Sequence, residues 1–540
     1  MTPQELNQAP ARAYYDALII GGGHNGLTCA AYLAKAGKKV LVLEAREQVG
    51  GAAVTETFHP GFRNSLASYT VSLLNPKIMA DLALGDYGLQ IVNRPAGNFL
   101  PFGDDGYLLT GQSTEQTAAT IARISPRDAA ALPAYFDWLE GAADALRDQL
   151  FTTPPASLST FRDWLRVGKL AQATRRLSGE ARHALFELFT QSAAQVLARW
   201  FEHPHVRALF GFDAIVGNFR SPYDDGSAYV LLHHVFGETN GVSGAWGHAI
   251  GGMGAITQAM ARSAEAAGAE IRTEARVAHV LHQDDRAVGV ALDSGEHLHA
   301  AKIAANVTPK RLLLDLCDRT ALEDDVAAAF EQTSYGSGTF RMNVALADLP
   351  RFTALPKTGP HLSSGIILAP TLDYMDRAYL DARMHGWSKQ PVIEMLIPST
   401  LDDTLAPAGQ HVASLFCQHV QPRLSGGRHW VDHREEVAQL MLTTVDRFAP
   451  GFSDLVLGYQ ALSPWDLEQM LGLTDGDIFH GRLSLGQLFS ARPVAGYADY
   501  RMPLADLYLC GSGAHPGGGV TGIPGHNAAQ AMLQDRWRSA

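Results

Sequence analysis

The stretch from Tyr15 to Glu44 limits this chain more than any other. Ala17 to Ile20 is a short apolar run and reads as a buried strand. It leads into Gly21-Gly22-Gly23-His24-Asn25-Gly26, where Gly21, Gly23 and Gly26 satisfy G-x-G-x-x-G. Leu27 to Ala36, rich in Ala and Leu, predicts a helix that Gly37 ends. Lys39 to Leu43 reads as a second strand and finishes at Glu44. Strand, glycine turn, helix, strand and acid in that order form a dinucleotide-binding unit. Gly21 permits the tight turn, Gly23 lets a pyrophosphate approach the backbone, and Gly26 lets helix and strand pack closely. The free N–H groups and dipole at the helix start favour a phosphate beside His24 and Asn25. Glu44 stands where an acid accepts hydrogen bonds from ribose hydroxyls.

Length and charge set the outer bounds. With 540 residues the chain has room for two to four domains. A formal net charge of −12 argues against a nucleic-acid partner, which needs a basic surface. Cys29, Cys317, Cys417 and Cys510 form no CxxC pair, so a redox dithiol and a zinc ribbon are not expected. Scattered thiols suggest a reducing, cytoplasm-like compartment. Met1 to Ala13 lacks the apolar core of a signal peptide, and no apolar run reaches the roughly 18 residues of a membrane span.

After Glu44 comes Ala45-Arg46-Glu47-Gln48-Val49-Gly50-Gly51-Ala52. The glycine pair resembles the extended fingerprint of FAD enzymes with the glutathione-reductase or amine-oxidase type of fold. In those enzymes the pair lies against the FAD pyrophosphate, which implies cofactor contacts at Ala45, Arg46, Gly50, Gly51 and Ala52. Many of them carry Arg where Ala52 stands, so any anion contact from that side chain is missing here.

At the far end, Leu507 to Cys510 reads as another buried strand. It runs into Gly511-Ser512-Gly513-Ala514-His515-Pro516-Gly517-Gly518-Gly519-Val520-Thr521-Gly522-Ile523-Pro524-Gly525-His526-Asn527. Ala528 to Trp537 then predicts a closing helix. So many glycines before a helix suggest backbone pressed against a ligand. The string from His515 to Gly519 resembles the C-terminal signature of carotenoid desaturases. The stretch through Asn527 is similar to two relatives of the phytoene desaturases: carotene ketolases, and a group named for a pyridine nucleotide-disulfide oxidoreductase domain. Val520-Thr521-Gly522 stands where desaturases tend to have Ile-Pro-Gly, which weakens transfer of the desaturation reaction itself. The resemblance implies FAD contacts at Gly511, Val520, Thr521, Gly522 and Ile523. It also extends over Gly244 to Pro309, where the residue matching Val277 would meet the adenine through its backbone.

The expected fold is therefore α/β. It is an FAD-binding Rossmann-type fold of the glutathione-reductase/amine-oxidase type with an inserted α+β substrate domain. Residues 1–74, 241–309 and 506–540 form the FAD-binding parts. Residues 75–240 read as a mostly helical insertion facing substrate or membrane, and 310–505 as the substrate-domain sheet and its helices. No second glycine unit is present, so oxygen or a quinone is the expected electron acceptor rather than a bound nicotinamide.

Thr160 to Arg176 carries five basic residues against Asp163, with Phe161, Trp164, Leu165 and Leu170 at helical spacing and Gly168 interrupting. Such a helix suits the surface of an anionic membrane. A solvated helix packed on its own domain is the alternative. Peripheral contact with the inner membrane would serve a lipophilic substrate. Asn64, Ser65 and Tyr69 are pocket candidates, and His515 is the candidate catalytic group. His203, His205, His233 and His234 have metal-like spacing, but no Cys or carboxylate cluster completes a site, so no metal is expected. The resemblance implies FAD-dependent dehydrogenation of an apolar, carotenoid- or isoprenoid-like molecule, with hydride passing to flavin N5. A ketolase, saturase, isomerase, amine oxidase or non-enzymatic scaffold are the alternatives.

Overall fold

The computed structural model describes residues 14–233 and 235–537; Met1–Ala13, His234 and Arg538–Ala540 lie outside the described residues. Strand Tyr14–Ile20 lies at the centre of a seven-stranded sheet. It pairs in parallel with Val40–Leu43 on one side and His297–Ala305 on the other. Glu270–Arg272 extends the sheet beyond Val40–Leu43, and Leu507–Leu509 pairs with the end of His297–Ala305. Arg286–Leu292 and Val277–Gln283 continue antiparallel from the other half of that strand. The register aligns Ile20 with Leu43 and Ala305, and Ala305 with Leu509. Three distant stretches of chain therefore deliver their strand ends to one edge, where ligands bind in open α/β sheets. Leu18, Ile19, Val40 and Val42 are fully buried because helices cover the sheet, which is why both strands read as unbroken apolar runs.

Helix His24–Lys35 packs between Gly254–Ala266 and Ile523–Gln534. The closing helix starts at Ile523, five residues before the expected Ala528, so Gly525-His526-Asn527 belongs to its first turns. A Cβ on Gly525 would collide with the Asn25 carbonyl oxygen.

The second seven-stranded sheet runs in the order Val456–Leu462, Thr339–Leu346, His411–Val420, Trp387–Leu396, Gly365–Leu368, Asn98–Phe102 and Gly106–Leu109. Its last two strands come from the stretch read as mostly helical. They join because Gly365 and Ile366 pair in parallel with Asn98 and Phe99. Pro101 sits within the strand Asn98–Phe102, paired with the edge strand Gly106–Leu109. Helices between Pro126 and His233 bury their apolar faces against this sheet around Leu132, Leu188, Leu209, Val392 and Phe416. Phe161–Arg176 is one helix that passes through Gly168 without a break. Thr160 caps it by accepting the Asp163 N–H at 3.1 Å. No helix among the described residues is long and apolar enough to cross a membrane. All four cysteines are buried and free.

Two glycines test this packing in opposite directions. Gly525→Ala forces the helix off Asn25 and should cost about 1–3 kcal/mol. Gly168→Ala sits mid-helix in open space and should add about 0.5–1 kcal/mol. Urea-unfolding midpoints of the two variants should move to opposite sides of the parent.

Candidate functional site

The front and rear glycine segments meet. Asn25 Nδ2 donates to Ser512 Oγ at 3.1 Å. Asn306, at the end of the strand between them, packs against both: a Cβ on Gly23 would lie 2.7 Å from its Nδ2, and one on Gly511 3.0 Å from its Oδ1. The glycine pair closes on the same turn, with Gly50 N donating to Gly22 O at 2.9 Å. Gly51 lies against Gly23, where a Cβ would sit 3.2 Å from the Gly23 Cα.

A crevice follows from this junction. Gly21, Gly23, His24, Glu44, Ala45, Arg46, Gly51, Ala52 and Val277 line it, together with Asn306, Arg311, His480 and Ser512. Gly26, Gly50, Gly511, Val520 and Gly522 lie behind or beyond its wall, and Asn25 reaches it only through Ser512. The Glu44 carboxylate is held by the backbone, accepting from Gly22 N at 2.8 Å and Arg46 N at 2.9 Å.

Four buried polar atoms at this place have no partner among the described residues: His24 Nε2, Asn25 Oδ1, Arg46 Nη1 and His480 Nδ1. Buried polar atoms are normally paired, so a cluster of orphans marks a ligand's place. Burial lowers His24 to about 4 and His480 to about 3, which leaves both rings neutral at pH 7. A carboxylate at the ribose position, a glycine turn open to phosphate and unpaired donors fit FAD.

A second cavity, of about 330 Å³, lies on the far side of the rear glycine segment. His515, Pro516, Gly518, Thr521 and Ile523 form one wall. Leu73, Leu146, Leu150, Phe189, Tyr229 and Phe236 supply most of the rest, and no charged side chain lines it. His515 Nε2 lies 3.0 Å from the Gln149 carbonyl oxygen. A carbonyl only accepts, so Nε2 carries the proton and Nδ1 holds the lone pair. Burial lowers this imidazole to about 4.

Asn64, Ser65 and Tyr69 line neither space, contrary to expectation. Asn64 Nδ2 donates to Asn343 Oδ1 at 2.9 Å, and Ser65 Oγ accepts the Met253 N–H at 2.9 Å. Tyr69 bonds the buried Glu394, stacks on Phe416 and lies under the Arg341 guanidinium. These side chains pin the second sheet to the dinucleotide fold. His205 stacks on Phe102 and bonds the Pro370 carbonyl, while His203 caps a helix. No group of three His, Cys, Asp or Glu among the described residues is placed to hold a metal. Sequence reasoning missed Asn306, Arg311, His480 and Ser512. Asn306 carried a signal as the polar residue ending a buried strand, and Ser512 carried one by its place between the glycines of the rear segment.

Comparison with known proteins places this architecture. Residues 26–340 match the model of the family described as flavin containing amine oxidoreductase. The chain is 39% identical to the Rattus norvegicus pyridine nucleotide-disulfide oxidoreductase domain-containing protein 2, over 96% of this chain and 94% of that one. It is 25% identical to a lycopene-forming phytoene desaturase of Pseudescherichia vulneris, over 96% and 98%. Cyclohexylamine oxidase from Brevibacterium oxydans shares the fold at a TM-score of 0.56 and 18% identity, over 96% of this chain and 99% of that one. The chain thus belongs to the flavin containing amine oxidoreductase family, in the branch related to phytoene desaturases, and is an FAD-dependent oxidoreductase.

Proposed function

We propose that the protein dehydrogenates an apolar, isoprenoid-like molecule held in the 330 Å³ cavity. The observation that carries this reading is the shared wall. One glycine segment faces the crevice through Ser512 and the apolar cavity through His515, Thr521 and Ile523. FAD in the crevice would be held by Gly21, Gly23, His24, Glu44, Gly51 and Val277. When bound, it supplies a two-electron acceptor. The backbone around Thr521 to Ile523 opens a helix whose dipole favours the charge that builds on the reduced ring.

Removing two hydrogens from adjacent carbons also releases a proton, and His515 Nδ1 is the base for it. An imidazole lowered to about 4 is weak, but it is unprotonated throughout the neutral range. It suffices where hydride departure comes first and acidifies the neighbouring C–H. The cavity is equivalent to roughly eleven waters of about 30 Å³ each. It holds a short isoprenoid whole, or one end of a carotenoid. No carboxylate lines the cavity to bind a protonated amine. Oxygen or a quinone would reoxidise the cofactor.

The helix Phe161–Arg176 supports a membrane source for the substrate. Phe161, Trp164 and Leu165 are 79%, 59% and 51% exposed, and Phe186 on the next helix is 64% exposed. Arg162, Lys169, Arg175 and Arg176 are exposed among them, while Leu170 lines the cavity. Clustered exposed apolar groups ringed by cations suit an anionic bilayer surface.

Under anaerobic conditions, short isoprenoid hydrocarbons should bleach the flavin band. His515→Ala should slow that bleaching about 10²–10⁴-fold with flavin content unchanged. The parent rate should be flat from pH 5 to 8 and fall only below about 4, where the base protonates. An unaltered rate in the variant would remove His515 from the proton step. Phe161→Glu with Trp164→Glu should abolish co-sedimentation with phosphatidylglycerol vesicles yet leave reduction by a detergent-dispersed substrate intact. Retained vesicle binding would rule out this helix as the docking surface.

A further inference from the structure

The cofactor's diphosphate carries two negative charges, and the crevice offers three guanidinium groups to meet them. Two already have a carboxylate partner. Arg46 is paired with Glu56 through one nitrogen while its Nη1 stays unpaired among the described residues, and Arg276 lies 3.7 Å from Asp293. Arg311 lines the same crevice and makes no side-chain hydrogen bond or ion pair among the described residues. It opens the short helix Arg311–Leu316, directly after the strand end that carries Asn306. Its backbone is fixed, because Arg311 N donates to Thr308 Oγ1 at 3.4 Å and Thr308 Oγ1 meets Thr474 Oγ1 at 2.5 Å.

The guanidinium lies against the end of a helix of the inserted domain. Gln469 to Leu473 lie along the crevice opposite Arg311. Gly472, at φ 69°, ends helix Pro464–Leu471, and a Cβ there would fall 2.5 Å from Arg311 Nη1. Any larger residue would displace the arginine. Arg311 is half-buried, carries no carboxylate partner among the described residues and lines the same crevice as the glycine turn, which places a cation where an anionic ligand can meet it. Glu44 is the acid within the crevice, and both of its oxygens are engaged by backbone N–H groups.

We propose that Arg311 is the charged ligand of the FAD diphosphate, and that the loop at Gly472 holds it in place. The site is then completed by residues from outside the glycine motifs. Ala52 lines the same crevice, so a guanidinium introduced there is a candidate to meet the same anion.

The test uses the full chain stripped of flavin and titrated with FAD, followed by flavin fluorescence quenching, and needs no substrate. It is therefore independent of the reaction proposed above. Arg311→Ala should weaken FAD binding about ten- to hundredfold and flatten the salt dependence of affinity. Arg311→Lys should fall between, since it keeps the charge without the planar fork. Ala52→Arg added to Arg311→Ala should recover at least tenfold of the loss. Apoprotein melting temperatures of all variants should match the parent, with Arg63→Ala as an exposed control. FAD affinity within twofold of the parent in Arg311→Ala would overturn the proposal. So would a loss of affinity that tracks a lowered apoprotein melting temperature and is not recovered by Ala52→Arg. Should Arg311→Ala fail to fold, an Arg311→Gln protein with parental affinity and salt dependence would overturn it equally.

Discussion

The structure depends on a contact that only backbone can make. Three strand ends reach one edge of the first sheet, and the turns that follow two of them touch with Asn306 between. A side chain at Gly525 would separate the two helices that begin there, one at Gly23 would collide with Asn306, and one at Gly26 with the Gly21 carbonyl. The chain between these turns can be almost anything, provided it returns to the same edge. That tolerance explains how long insertions reside in one fold, since lengthening a loop adds closure entropy only slowly.

This junction also divides polar from apolar space. On one side the crevice gathers carboxylate, guanidinium and imidazole groups with unsatisfied atoms. On the other, the cavity is walled by Leu, Phe and Tyr and carries no charge. The rear segment contributes to both, with Ser512 on the crevice and His515, Gly518 and Thr521 on the cavity.

How much of this was legible follows from the kind of signal each part leaves. The strand, glycine turn, helix and acid from Tyr15 to Glu44 are contiguous, so periodicity and spacing expose them directly. The rear segment is legible for the same reason, although its helix begins earlier than the Ala run suggested. Arg311 and His480 leave no such trace. Each is an ordinary residue in an insertion, and only the three-dimensional return of that insertion brings it to the crevice. Asn64, Ser65 and Tyr69 misled because polar residues after a glycine pair look like pocket residues. In the structure their hydrogen bonds are spent on Asn343, Met253 and Glu394. The edge strands at Asn98 and Gly106 were hidden by their distance from the sheet they join.

The rear segment holds one residue that local preference opposes. Val520 has φ 58°, a left-handed conformation that a branched side chain adopts at a cost of about 1–3 kcal/mol. Its neighbours impose it. Gly519 is pressed against Leu73, Asn75 N donates to Thr521 O at 3.3 Å, and Ile523 N donates to Thr521 Oγ1 at 3.1 Å. A glycine at this position would relieve the strain and free the segment to move. Valine instead leaves one shape for the wall, because the contacts that force it out of its preferred region also forbid the alternatives. The strain thus falls next to Thr521, which lines the cavity, and fixes the shape of that wall.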